Sequence, residues 1–184
     1  MIKNPELLER LKAGNRAYLA SGENRGDLSP AARLRTAKGQ RPYAIVIACS
    51  DSRVIPECVF SAGIGELFVI RVAGNMLDRH QLGSIEYAAG HLGCRLILVL
   101  GHTGCGAIAA ALSGGGDGFI RYITDEILLA AGTERDPDAV CVLNVEHAAE
   151  TIRREFAEHP EIQTGEIDVL GAVYDVSTGE VRWL

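Results

Sequence analysis

No run of apolar residues in this 184-residue chain approaches the length that crosses a bilayer, so no stretch of it reads as a membrane-spanning helix. Residues 1–22, MIKNPELLERLKAGNRAYLASG, form a charged amphipathic segment without the apolar centre of an export leader. The expectation is a soluble, cytoplasmic protein. Positive charge is also scarce: 18 Lys and Arg stand against 24 Asp and Glu, a formal net charge of −6, and the basic residues are scattered rather than gathered in a stripe. Without that electrostatic footprint, neither nucleic acid nor a membrane surface is an expected partner. The five cysteines are odd in number and unevenly spaced, which argues against a disulfide framework. No internal repeat is visible, and Ser113–Gly118 (SGGGDG) is the only low-complexity spot, read as a flexible connector.

What is present is apolar content of 47%, enough for one substantial core, and a single domain over residues 1–184 is the default at this length. Residues 5–20 read as a helix opening at Asn4-Pro5, and 29–37 as a second, opening at Ser29-Pro30. Together they make an N-terminal helical arm. YAIVIAC (43–49), ELFVIRV (66–72) and RLILVLGH (95–102) are almost continuously apolar at strand length, the pattern of parallel strands covered on both faces. EIDVLGAVYDV (166–176) adds a fourth strand, and Ser177-Thr178-Gly179 turns the chain into an antiparallel edge strand, EVRWL. Helical stretches fall at about 80–92, 104–112, 119–131 and 138–157. The predicted class is α/β, a mostly parallel central sheet with helices on both faces.

Ligands of such sheets gather beyond the carboxyl ends of the strands. Cys49 ends one strand there and GHTGCG (101–106) ends another. Cys49, His102 and Cys105 offer two thiolates and an imidazole, a donor set that suits zinc and can leave a fourth position open. Cys105 would stand near a helix N-terminus, where the amide dipoles favour its thiolate, and Gly101, Gly104 and Gly106 would let the backbone turn tightly. Cys58, the nearest further thiol, has no Gly-rich knuckle and reads as a non-ligand. Cys94, Cys141, His80, His91, His147 and His159 read as packing or surface residues.

Asp51 is the more interesting fourth partner, one side chain beyond Cys49 on the same face of an extended segment, with Arg53 a further step along. A guanidinium there pairs with the carboxylate and holds it ionised and oriented. A metal with an open position beside such a carboxylate can make hydroxide from water near neutral pH, with Asp51 accepting the water's remaining hydrogen bond. Arg71 is open between anion binding and a structural ion pair.

CSDSR (49–53) and GHTGCGA (101–107), with GELFVIRVAGN (65–75), GSIEYAAGHLG (83–93) and GAVYDVSTGEV (171–181), resemble the β-class carbonic anhydrases over nearly the whole chain. The resemblance implies an enzyme hydrating carbon dioxide to bicarbonate and a proton, with one Zn2+ per chain held by Cys49, His102 and Cys105. It makes Asp51 and Arg53 the catalytic dyad, and Asp51 also a zinc ligand in a closed, inactive state. It puts Gln40, Phe68, Tyr87 and the backbone of Gly106 around the substrate, in a pocket built across the interface of a homodimer or an assembly of dimers. Residues 1–38 would then pack on the partner. The closed-site subclass carries a tryptophan where this chain has Val46, which implies an open site. The segment between Cys105 and Asn144-Val145 is shorter than in the longer bacterial members.

Three other readings share some of these features. Relatives of the family hydrolyse carbon disulfide or carbonyl sulfide at the same kind of zinc site, and a catalytically idle zinc-binding protein would keep the ligands. LILVLGHTGCG also has the outline of a nucleotide-binding turn, but its order is G-x-x-G-x-G and it lacks a phosphate-binding lysine.

Overall fold

The apolar runs form the middle of a five-stranded sheet in a computed structural model that describes residues 2–158 and 167–184. The strands are β1 (Ala44–Ala48), β2 (Leu67–Arg71), β3 (Leu96–His102), β4 (Asp168–Tyr174) and β5 (Val181–Trp183). Their order is β2-β1-β3-β4-β5; the first four are parallel and β5 runs antiparallel to β4 at the edge. Every residue of β1 and β3 is buried, because successive side chains serve opposite faces and both faces are covered. Ile45, Ile47, Ile97 and Val99 join one core, and Ala44, Val46, Ala48, Leu96, Leu98 and Leu100 the other.

The helices are α1 (Pro5–Ser21), α2 (Pro30–Thr36), α3 (Pro56–Val59), α4 (Arg79–Gly90), α5 (Gly106–Leu112), α6 (Ile120–Ala131) and α7 (Pro137–Glu158). Local chemistry sets several starts: Ser29 Oγ accepts from the Ala32 amide, and Asp78 with Gln81 forms a capping box on α4. The buried face of α7, with Cys141, Asn144, Val145, Ala148 and Ile152, closes the first core. The arm expected to reach a dimer partner is, over α1, bedded on its own chain: Leu11 is fully buried, and Asn15 Nδ2 donates to the carbonyls of Val59 (3.1 Å) and Gly179 (3.0 Å). α2, by contrast, leaves Leu34 76% exposed.

The strands and longer helices fall where the pattern predicts them, with the expected fourth strand trimmed to Asp168–Tyr174; residue 166 of that expectation and His159 lie outside the described residues. Two elements were not foreseen: α3, and a 3-10 turn over Ala73–Asn75 that follows β2. β1 is flanked by β2 on one side and β3 on the other, so successive connections leave it in opposite directions. The crevice this reversal opens, beyond the carboxyl ends of β1 and β3, is where a doubly wound sheet binds ligands.

Candidate metal centre

Ala48 and Leu100 are register partners, so the residues that follow them leave the sheet side by side. Cys49 follows at once, His102 is the last residue of β3, and Gly104, at φ +64°, turns the chain so that Cys105 becomes the N-cap of α5. One ligand-type atom from each of Cys49, His102 and Cys105 lies within 4.8 Å of the others, and all three residues are buried. Among the described residues this is the only such cluster.

The imidazole is already committed to one orientation. His102 Nδ1 is 3.0 Å from the Thr103 carbonyl, which can only accept, so the ring proton sits on Nδ1 and the lone pair on Nε2. Nε2 is buried, with 0% side-chain exposure, and has no hydrogen-bond partner among the described residues. A bare acceptor beside two thiols is costly in a protein interior unless a cation takes it, and this donor set is one that zinc fits. The thiols agree with that. The Cys105 thiol donating to Cys49, with the amides of Asp51 and Gly74, takes Cys49 down to about 4 against the opposing effect of burial. The same contact and burial push Cys105 up. The pair gives up one proton readily and the second reluctantly, and a divalent ion is what would draw off the second.

Asp51 and Arg53 are brought together by a turn, not by the extended face that alternation predicts. Asp51 Oδ1 accepts from the Arg53 amide at 3.0 Å, and the Val54 amide donates to the Asp51 carbonyl at 3.0 Å. An aspartate side chain bonded two residues ahead folds the backbone back on itself. The guanidinium then closes a fork on the carboxylate, Nε to Oδ1 at 2.9 Å and Nη2 to Oδ2 at 2.7 Å, and Nη2 also donates to the Gly104 carbonyl at 3.0 Å. This fork holds Asp51 well below the ordinary carboxylate range and raises Arg53 in return. Asp51 Oδ2 stands 3.9 Å from His102 Nε2, with 18% of its side chain exposed.

Among the described residues Arg71 forms no ion pair and instead holds backbone. Its Nε donates to the Cys49 carbonyl at 3.0 Å and its Nη2 to the Asp51 carbonyl at 2.6 Å, pinning the chain on both sides of Ser50. The signal was its place at the end of β2, in register with Ala48. Gly101 also serves a different purpose from a tight turn: a Cβ there would stand 3.0 Å from Cys141 Sγ and closer still to Val145, so its bareness lets α7 lie against β3. Cys141 donates to the His102 carbonyl at 3.4 Å and Cys94 to that of Pro42 at 3.2 Å, both as buried packing residues.

The expected pocket residues divide. Gly106 opens α5 beside Cys105, while Phe68 and Tyr87 pair with ring centroids 6.3 Å apart, and Phe68 sits at the level of Ile45, early in the strands. Gln40 precedes β1 and lines a surface hollow with Ile64, Gly65 and Glu66, which precede β2, so it stands at the amino ends of the strands, whereas Cys49 leaves the carboxyl end of β1. The chain does not bring Gln40 to its own metal cluster.

The sequence pattern of the carbonic anhydrase family matches residues 44–181. Carbonic anhydrase 2 of Mycobacterium tuberculosis is 34% identical over 180 residues, 92% of this chain and 87% of its own length. Among solved structures, the β-carbonic anhydrase of Coccomyxa in complex with acetazolamide superposes with a TM-score of 0.71 at 28% identity, over 98% of this chain and 85% of that one. One of the two tetrameric β-carbonic anhydrases of Sordaria macrospora gives 0.69 at 26% identity, over 97% of both. The chain belongs to the β-carbonic anhydrase family.

Proposed function

We propose that this protein hydrates carbon dioxide reversibly to bicarbonate and a proton, with one zinc ion per chain held by Cys49, His102 and Cys105. The observation that carries it is the bare, buried Nε2 of His102 between two thiols, with a charged and immobilised Asp51 3.9 Å away. Zinc held there supplies Lewis acidity able to bring the pKa of water to about 7.

The chain's own residues do the rest. Asp51, kept ionised by Arg53, can only accept hydrogen bonds, so it fixes the orientation of a water molecule by taking one of its protons in a hydrogen bond. Because both its oxygens are engaged by the Arg53 fork, it is held off the ligand cluster, the arrangement expected of an open site. Arg53 ties this dyad to the ligand turn through the Gly104 carbonyl.

A small apolar substrate needs only a slot and one amide donor. Gly106 lies at the cluster, but Gln40 does not, so Gln40 with Phe68 and Tyr87 serves the site of a second copy, and the working unit is a homodimer or an assembly of dimers. The tetrameric relatives from Sordaria are in keeping with that. Five free cysteines, two of them proposed zinc ligands, fit a reducing, cytoplasmic setting.

Stopped-flow assays of the purified protein with carbon dioxide and carbon disulfide in parallel test the reading. Rapid hydration of carbon dioxide is expected; turnover of carbon disulfide alone would overturn it.

A further inference from the structure

The 3-10 turn after β2 has an unusual backbone. Gly74 and Asn75 are consecutive residues in the left-handed region, at φ +67° and +48°. Glycine takes that conformation freely, and asparagine is among the few side chains that tolerate it. Two in succession are not a conformation the chain would keep unaided, yet this turn points the Gly74 amide at Cys49 Sγ, 3.3 Å away. There is also little room for it to move on that side, since a Cβ on Gly74 would stand 3.1 Å from Ile127 Cδ1 and 3.2 Å from Ala107 Cβ.

The latch comes from α7. Asn144 is 1% exposed, and its Nδ2 donates to the Gly74 carbonyl at 2.9 Å. The orientation of this carboxamide is forced, because turning it over would set its oxygen against a carbonyl oxygen. Its Oδ1 has no partner among the described residues, nor has Nδ2 of the buried Asn75. A buried amide that leaves its own acceptor unsatisfied in order to grip this one carbonyl is poor economy for packing alone.

We propose that Asn144 is a positioning residue for the metal centre: by gripping Gly74 through its carbonyl, it holds the Gly74 amide on the Cys49 thiolate and so sets that ligand's direction and its strength as a donor. Amide hydrogen bonds draw electron density from a thiolate, and groups that orient metal ligands in this way are typically worth about 10- to 100-fold in metal affinity or activity. The inference rests on the proposed ligand set, and it gives a role to an asparagine of α7 whose side-chain hydrogen bond, among the described residues, goes to Gly74 and not to a ligand.

The test uses protein loaded with cadmium-113, which substitutes for zinc at thiolate sites and is visible by NMR, together with zinc affinity measured by chelator competition. In the wild-type protein, a through-bond correlation is expected between the metal and the Gly74 amide proton, carried across Cys49 Sγ. In Asn144→Ala the correlation should weaken or vanish, and zinc affinity should fall about 10- to 100-fold. Ile152→Ala is the control, a cavity eight residues further along the same buried face of α7: it should lower stability while leaving the correlation and the affinity unchanged. Stoichiometric cadmium without the Gly74 correlation in the wild type overturns the proposal even if Asn144→Ala does not fold. Unchanged correlation and affinity in Asn144→Ala overturn it too, while the proposed function stands. No metal uptake by the wild-type protein overturns both.

Discussion

Arg53 donates from two nitrogens to Asp51 and from one of them to the Gly104 carbonyl, and what it protects is the charge on a single carboxylate. With its pKa held well below the ordinary range, Asp51 is ionised throughout the physiological span, so in the proposed reaction it would act as a fixed acceptor and not as a group that titrates during turnover. Asp51→Asn keeps the shape and removes the charge. Hydration activity should fall about 100- to 10,000-fold with zinc content unchanged, measured by stopped flow and metal analysis on the same samples. Retention of full activity would show that the carboxylate is a bystander. The Cys49, His102 and Cys105 cluster and the Asp51–Arg53 pair were legible in the sequence as residue types at telling spacings. Their geometry was not: alternation put Asp51 and Arg53 on one extended face, whereas the Asp51 side chain bonds the Arg53 amide and folds the segment into a turn.

At the scale of elements, a buried carboxylate helps tie the N-terminal segment to the sheet. Asp168, the first residue of β4, accepts from the Lys3 amide at 3.0 and 3.1 Å, the Asn4 amide at 2.7 Å and Asn4 Nδ2 at 3.0 Å. Burial pushes its pKa up, but these donors outweigh burial and leave it below the ordinary 3.8. A depressed carboxylate stabilises the fold fully above its unfolded pKa and loses that contribution as pH falls through the folded value. Asp168→Asn should therefore cost about 1.5–3 kcal/mol at pH 7, read from urea unfolding, and the two proteins should converge as the pH drops below 3.8. A difference that persists undiminished in acid would show that the carboxylate's charge is irrelevant. The strands and long helices were readable because their apolar runs are long enough to carry a period. α3 has four residues, and the turn at Ala73–Asn75 depends on two left-handed residues, so neither leaves a periodic trace. Gly101 reads in the sequence as a tight-turn glycine but is a clearance for α7, since a gap for a neighbouring helix cannot be told from a turn position until the neighbour is known.

For the molecule as a whole, the strand order decides where chemistry can occur. Because β1 lies between β2 and β3, the ends of β1 and β3 form a crevice that collects Cys49, His102 and Cys105 from segments more than fifty residues apart in sequence. The same order leaves β2 at an edge with no strand on its outer side among the described residues, near a Tyr87 that is 47% exposed and a Gln40 stranded beyond the far end of the sheet. Those three features are answered together if a second copy covers this side of the molecule and exchanges pocket residues with it. In the function proposed above, one zinc ion at the Cys49, His102 and Cys105 cluster supports hydration of carbon dioxide. Metal-free protein should be inactive and should regain activity linearly with added zinc up to one equivalent per chain, while Cys105→Ser titrated in parallel stays inactive. Hydration by the metal-free protein, or full activity in Cys105→Ser, would rule out zinc at this cluster as the source of activity.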